Sequence, residues 1–149
     1  MNWGRIIGGG LLAGLIINIS EFLLNGLFLQ SDWTAAMAAL GKPAAMGTGA
    51  IVAFNVWGFL TGIVALWLYA AIRPRYGAGP RTAITAALAV WFMNYVLGSV
   101  GPLATDVFPM KLILIGIAVG VIEVLVGTLA GARLYTEAEE LSARAAGAR

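Results

Sequence analysis

Long apolar stretches alternate with short polar breaks along this chain, at Ile6–Leu29, Ala50–Ile72, Thr82–Val100 and Leu112–Ala132. A helix rises about 1.5 Å per residue, so about 20 residues cross the roughly 30 Å of hydrocarbon in a bilayer. Each stretch is close to that length. Each is also bounded by charge or by Pro and Gly, as in Arg73-Pro74-Arg75 after the second and Gly101-Pro102 after the third. Hydrocarbon offers the backbone no hydrogen-bond partner, so such segments cross as helices. The pattern predicts an all-α polytopic membrane protein with four transmembrane helices in residues 1–135 and a cytoplasmic tail at 136–149. In the tail, Thr136 can cap a turn, and Glu140 and Arg144, four apart, suit a solvated helical extension. The first stretch is uncharged from Ile6 to Phe28 except for Glu21. That exceeds the roughly 7–15 apolar residues of a secretion signal, so it reads as a retained helix.

The first part of the longest connection, Gln30 to Thr48, reads as a short amphipathic helix on the membrane surface, the alternative being an irregular loop with a buried Trp. Ser31 or Asp32 can cap its start, Gly41 can close it, and Pro43 forbids continuation. Trp33, Met37 and Leu40 recur at helical spacing, giving one apolar face to rest at the headgroups.

Within the spans the small and polar residues are ordered. Lipid removes the hydrophobic drive between helices, so small residues mark close backbone approach and polar residues mark pairing. Gly10, Gly14, Asn18, Glu21 and Asn25 share one face of the first helix, and Asn55, Gly58, Gly62, Ala65 and Tyr69 one face of the second. The fourth carries Gly116, Gly120, Glu123, Gly127 and Gly131, and the third a looser set of Ala87, Asn94, Gly98 and Gly101. GxxxG spacing alone is a weak signal, but polar residues in register with the glycines mark these faces as inward.

Charge orients the chain. Arg5, Arg73, Arg75, Arg81, Arg133, Arg144 and Arg149 fall on one side of the spans and only Lys42 and Lys111 on the other. Basic residues in short loops stay in the cytoplasm, so both termini and the middle loop are expected there, in a bacterial inner membrane. The bias argues against dual insertion. The arginines around Tyr76-Gly77-Ala78-Gly79-Pro80 could grip an anionic lipid headgroup, although a tight cytoplasmic turn accounts for them.

Composition narrows the chemistry. The 149 residues are 60% hydrophobic and 11% charged, far from a soluble domain. Nine scattered Lys and Arg do not make a nucleic-acid surface. With no cysteine and no histidine, thiol chemistry, Ser-His triads, histidine-ligated haem and the usual zinc sets are excluded. Neither an enzyme, a cofactor nor a metal is expected. Gly8-Gly9-Gly10 is no phosphate loop, because no Gly-Lys-Ser/Thr follows. Trp57, Trp67, Trp91 and Tyr95 read as packing or interfacial anchors.

What remains is the polar zone. Counting rise per residue puts Asn18, Asn94 and Glu123 within roughly 3 Å of the midplane, with Glu21, Asn55 and Asn25 roughly 5 to 11 Å toward the outside. An intramembrane carboxylate costs about 2.5–3.5 kcal/mol on insertion scales, and no intramembrane Lys or Arg offsets it. At least one glutamate is expected to hold a proton at neutral pH. Such a pair can share a proton, bind a cation, or exchange one for the other. Two functions follow: a proton- or cation-linked solute transporter, or a non-catalytic accessory subunit whose glycine faces dock other membrane chains. Membrane lipids and a second copy or other membrane subunits are the expected partners. An outward glycine stripe on the fourth helix would favour docking, and one closed around Glu123 would favour a site.

The Met1-Asn2-Trp3 opening into a glycine-rich helix, the outer loop with Trp33 and Met37, Trp91, and Met110-Lys111-Leu112 leading into the last helix resemble an uncharacterised family of small bacterial four-helix membrane proteins. The resemblance spans most of residues 1 to 135 and implies the architecture only. Glu21 in the first helix is also similar in kind to the embedded glutamate of small multidrug-resistance transporters. The long outer loop, the second glutamate and the strong charge bias depart from that pattern.

Overall fold

The computed structural model describes residues 1–43 and 45–136. The expected tail, with its Glu140 and Arg144 pair, lies outside the described residues except for Thr136. Among the described residues six α-helices follow in order: α1 (Trp3–Glu21), α2 (Gln30–Ala39), α3 (Thr48–Tyr76), α4 (Pro80–Trp91), α5 (Val100–Ala104) and α6 (Met110–Leu134). A π-helical segment, Phe22–Phe28, prolongs α1, and another, Phe92–Val96, joins α4 through a 3₁₀ turn at Leu97–Ser99 to α5. The continuous spans are therefore Trp3–Phe28, Thr48–Tyr76, Pro80–Ala104 and Met110–Leu134, all long and apolar enough to cross a membrane. The protein is an all-α, membrane-embedded helix bundle.

The spans outrun their predicted ends by two to four residues in places, for stateable reasons. Pro74 does not end α3, because it falls in the last turn, and the helix runs to Tyr76 before Gly77 turns away at φ 84°. Pro102 sits inside α5 because the preceding 3₁₀ turn restarts the helix at Val100, which leaves the proline in a first turn that needs no N–H bond. At the start of α1, the Asn2 side chain accepts the Arg5 backbone N–H at 3.2 Å, and the Asn2 N–H donates to the Tyr135 hydroxyl at 3.2 Å. This ties the beginning of the first span to the end of the last.

α1 is the hub, and it uses two neighbouring faces. A methyl group at Gly10 or Gly14 would lie 2.5 Å from the Ile63 Cα and 2.6 Å from the Phe59 Cα of α3. One at Gly9 or Gly127 would lie 2.7 Å from the Gly131 carbonyl oxygen and 2.9 Å from that of Ala13, so α6 is equally close on the other side. The core is correspondingly built of small residues, Ala13, Ala65, Ala70, Ala83, Ala86 and Ala87, with Ile6, Ile17, Leu66 and Val124 between them. Large apolar side chains such as Leu11, Leu15, Phe54, Leu60 and Val126 point outward, as helices solvated by lipid require. On the third span Ala87 is buried as expected, but Gly101 meets nothing within 4 Å. The π and 3₁₀ segments after Trp91 change the residues per turn, so the stripe does not continue through them.

The surface helix exists, with a different contact face. It follows almost directly on the π segment, has Leu29 as its cap residue and uses neither Ser31 nor Asp32 to cap its start. Gly41 at φ 66° does close it. Ala36 is its buried residue, Leu40 is exposed, and Trp33 packs edge-on against Phe108 at 5.3 Å. Lys111 and Asp32 pair at 2.9 Å. α2 thus folds over the bundle end, packing Trp33 and Ala36 against Leu29, Leu112 and Phe108.

Candidate functional site

Where the π segment of the first span, the π segment of the third and the middle of α6 meet, Glu21, Tyr95 and Glu123 come together. The Tyr95 hydroxyl donates to Glu123 Oε1 and lies 3.3 Å from Glu21 Oε1. Glu123 is only 3% exposed, and its Oε2 has no well-formed hydrogen bond among the described residues. Ser20 and Glu21 are the groups that flank it.

Local sequence builds this arrangement. Tyr95 reaches across because Gly120 leaves a slot for its ring: a methyl there would lie 2.5 Å from the Tyr95 Cε1 atom. The backbone at this position is engaged as well, since the Ser99 hydroxyl donates to the Tyr95 backbone carbonyl. Beside it, the Trp91 indole N–H donates to the Ile117 carbonyl at 2.9 Å, pinning the third span to α6. Both carboxyl-facing stretches are π-helical or border one, and π turns are frequent where a helix must aim side chains that a regular turn would misplace. In the first span the wider turn shows directly in the Leu29 N–H bond to the Leu24 carbonyl at 2.8 Å.

A relay of amides continues from the trio. Asn25 Nδ2 donates to Glu21 Oε2, and Asn25 Oδ1 accepts the Trp33 indole N–H at 2.8 Å. Both ends of the Asn25 amide are therefore engaged, which fixes its orientation. Polar contacts run from Glu123 through Tyr95, Glu21 and Asn25 to α2. A cleft of about 380 Å³ opens beside this chain, bordered by Glu21, Asn25, Trp33, Asn94 and Tyr95.

The other polar candidates are placed differently. Asn94 borders the cleft and donates to Thr61 Oγ1 at 3.1 Å, so it joins the site at its edge. Asn18 instead donates to the Asn55 backbone carbonyl at 3.1 Å and packs against Gly58, acting as a clamp between α1 and α3. The Asn55 side chain is exposed and donates back to the Ile51 carbonyl at 2.8 Å. Its side chain lies outside the polar zone, in a stretch of α3 where every residue from Ile51 to Trp57 is exposed.

Tyr95 and Trp33 are the site residues that the residue pattern did not single out. Tyr95 carries a depth signal: it lies about 14 Å along the helix from Ala104 and about 21 Å from Arg81, too deep for an interfacial anchor. Trp33 carries none, because its bond to Asn25 depends on how α2 folds back. No protein-family model, characterised protein or solved structure matches this chain.

Proposed function

We propose that the protein is a small carrier of the bacterial cytoplasmic membrane that exchanges a proton for a cation or cationic solute at Glu21, Tyr95 and Glu123. One observation carries this reading: a single hydroxyl stands between two intramembrane carboxyl groups. A tyrosine has one O–H proton, which here goes to Glu123. The contact with Glu21 becomes a hydrogen bond only when Glu21 supplies a proton of its own. The trio thus wants one more positive charge than its ionised form holds, and a proton or a cation can provide it. Glu123 Oε2, flanked by Ser20 and Glu21, is a further acceptor in the trio.

The glycines of α6 support a site over a docking face. Gly120 is filled by Tyr95, Gly127 by Ala13 and Gly131 by Gly9, so these three close inward. Asn94 and Asn25 supply polar walls, whereas Asn18 and Asn55 belong to the reading only as helix contacts. The seven arginines against two lysines favour both termini and the Arg75–Gly79 turn in the cytoplasm, with α2 outside. A homodimer is part of the proposal, because four helices enclose little space.

The test is replacement of either glutamate by glutamine, which keeps shape and hydrogen bonding but removes the titratable group. Infrared difference spectra of the full chain in detergent should show a carboxyl band titrating between roughly pH 5 and 9, with pH-dependent cation uptake in vesicles. Glu21→Gln and Glu123→Gln should each lose uptake and reduce the band. A wild-type protein with no titrating intramembrane carboxyl would end the proposal.

A further inference from the structure

Asn55 is exposed, and its side chain makes one hydrogen bond among the described residues, from Nδ2 to the Ile51 carbonyl of its own helix at 2.8 Å. An amide carries two N–H donors and an oxygen that accepts twice, so one donor and the whole oxygen are left over. Asn18, Asn25 and Asn94, the other amides of the spans, each bond to a different element. α3 runs for 29 residues, about 43 Å, so its centre at Gly62 falls roughly at the middle of the membrane. Asn55 stands about 10 Å outward from that centre, and thus about 5 Å inside the edge of the hydrocarbon. An Asn side chain is too short to reach the headgroups from there.

The surroundings of this amide do not satisfy it. The Asn18 side chain donates to the Asn55 backbone carbonyl at 3.1 Å, which holds the turn against α1 and leaves the side chain as it is. One turn outward on the same face, Ile51 is 49% exposed and Val52 55%. The stacked Phe54 and Trp57 rings lie about 100° or more round the helix, too far to cover it. The outer turns of α3 therefore present an apolar surface with one amide in it.

We infer that this surface is the interface of a parallel homodimer, in which the Asn55 amides of two copies bond each other across a two-fold axis. This names the contact of the dimer that the proposed carrier includes, and it rests on that reading for the dimer alone. A second copy is the occupant because an amide is its own complement. Each offers an N–H and an oxygen, so two identical groups facing each other across a two-fold axis exchange two hydrogen bonds. Lipid tails offer neither, which favours the pair over two amides left in hydrocarbon. Depth sets the orientation. Copies inserted the same way bring their Asn55 residues to one level, whereas inverted copies hold them about 20 Å apart. Glu21, Tyr95 and Glu123 stay within each protomer, so each copy keeps a complete trio.

The chain has no cysteine, so single cysteines report without background. The full chain carrying Arg149→Cys, labelled with donor or acceptor dye in phosphatidylcholine vesicles, reads association by energy transfer as added lipid dilutes it. Association is the expected result, and Asn55→Leu should move its half-point to a protein-to-lipid ratio about tenfold higher or more. Asn55→Gln, which keeps an amide, should restore most of it. In separate variants, Ile51→Cys or Val52→Cys should form an oxidised dimer, and Leu114→Cys, 52% exposed near the outer end of α6, should not. Circular dichroism verifies that each variant is helical. A wild-type protein that stays monomeric, undiminished association of Asn55→Leu, or cross-linking at Leu114 and at neither Ile51 nor Val52 would each overturn the inference. The infrared carboxyl band of the same samples separates it from the exchange reading. A titrating band in a monomeric protein would remove the interface and leave exchange at the trio, while association through Asn55 with no titrating band would keep the interface and remove the exchange.

Discussion

At the scale of single residues, the site depends on a fit between Tyr95 and Gly120. Tyr95→Phe keeps the ring in its slot and deletes the O–H, leaving both carboxyl groups without their bridge. A loss of about 1–3 kcal/mol is expected from the stranded buried acceptor, read as a lowered unfolding midpoint in detergent. Gly120→Ala should cost about 1–3 kcal/mol for a different reason, because its methyl meets the ring. The two mechanisms separate in a double-mutant cycle. With Tyr95→Ala already made, Gly120→Ala should cost almost nothing, and a cost unchanged in that background would show that the glycine matters for something other than the slot. Glu21, Glu123 and Asn25 were legible in sequence because ionisable and amide groups are conspicuous among apolar neighbours. Tyr95 was not, because an aromatic residue in a membrane helix has an ordinary use as an anchor, and only its depth argued otherwise. Asn18 and Asn55 looked equivalent to Asn25 because each lay on the inward stripe of its helix. Sequence spacing carries no information about which partner an amide will find.

Elements follow the same division. Lengths of the spans were readable since hydrocarbon forces each backbone to satisfy itself, and any helix that crosses must be long and apolar. The π segments at Phe22–Phe28 and Phe92–Val96 were not readable, because composition does not distinguish a wide turn from a regular one; packing against Gly120 and α2 decides it. α2 was predicted as a helix from its stop signals, yet its contact face followed from Phe108 and Asn25, which are remote in sequence. If α2 is held down chiefly by Trp33, then Trp33→Phe should keep the contact with Phe108 but lose the bond to Asn25. Hydrogen exchange of the Gln30–Ala39 amides should speed up by about five- to tenfold, as loss of one hydrogen bond of about 1 kcal/mol would give. Lys111→Ala should change the same exchange much less, because an exposed ion pair contributes about 0–1 kcal/mol. The reverse order would mean that the ion pair is the main fastening.

On the scale of the whole molecule, direction in the membrane decides which side each end of the bundle faces. Three features of the fold bear on it together. The ends of α3 and α6, and the starts of α1 and α4, carry Arg73, Arg75, Arg133, Arg5 and Arg81 at one pole, while α2 and Lys111 lie at the other. The first and last spans are tied to one another at that pole through Asn2 and Tyr135, so neither can invert alone without breaking that contact. Packing of the four spans into one bundle predicts that they orient together, with the charge bias acting on all four at once. Reporters fused after Arg149 and within Arg75–Gly79 should read cytoplasm, and one near Gly41 should read the outside. Replacing Arg73, Arg75 and Arg81 by Ala while adding two Lys beside Lys42 brings the opposing poles to equal numbers, four against four. That variant should give mixed signals at all three fusion points, changing in step. A tail that reports the outside in the unaltered protein would reverse the assignment of faces. Signals that change at one fusion point but not the others would show that the spans orient independently despite the packing between them.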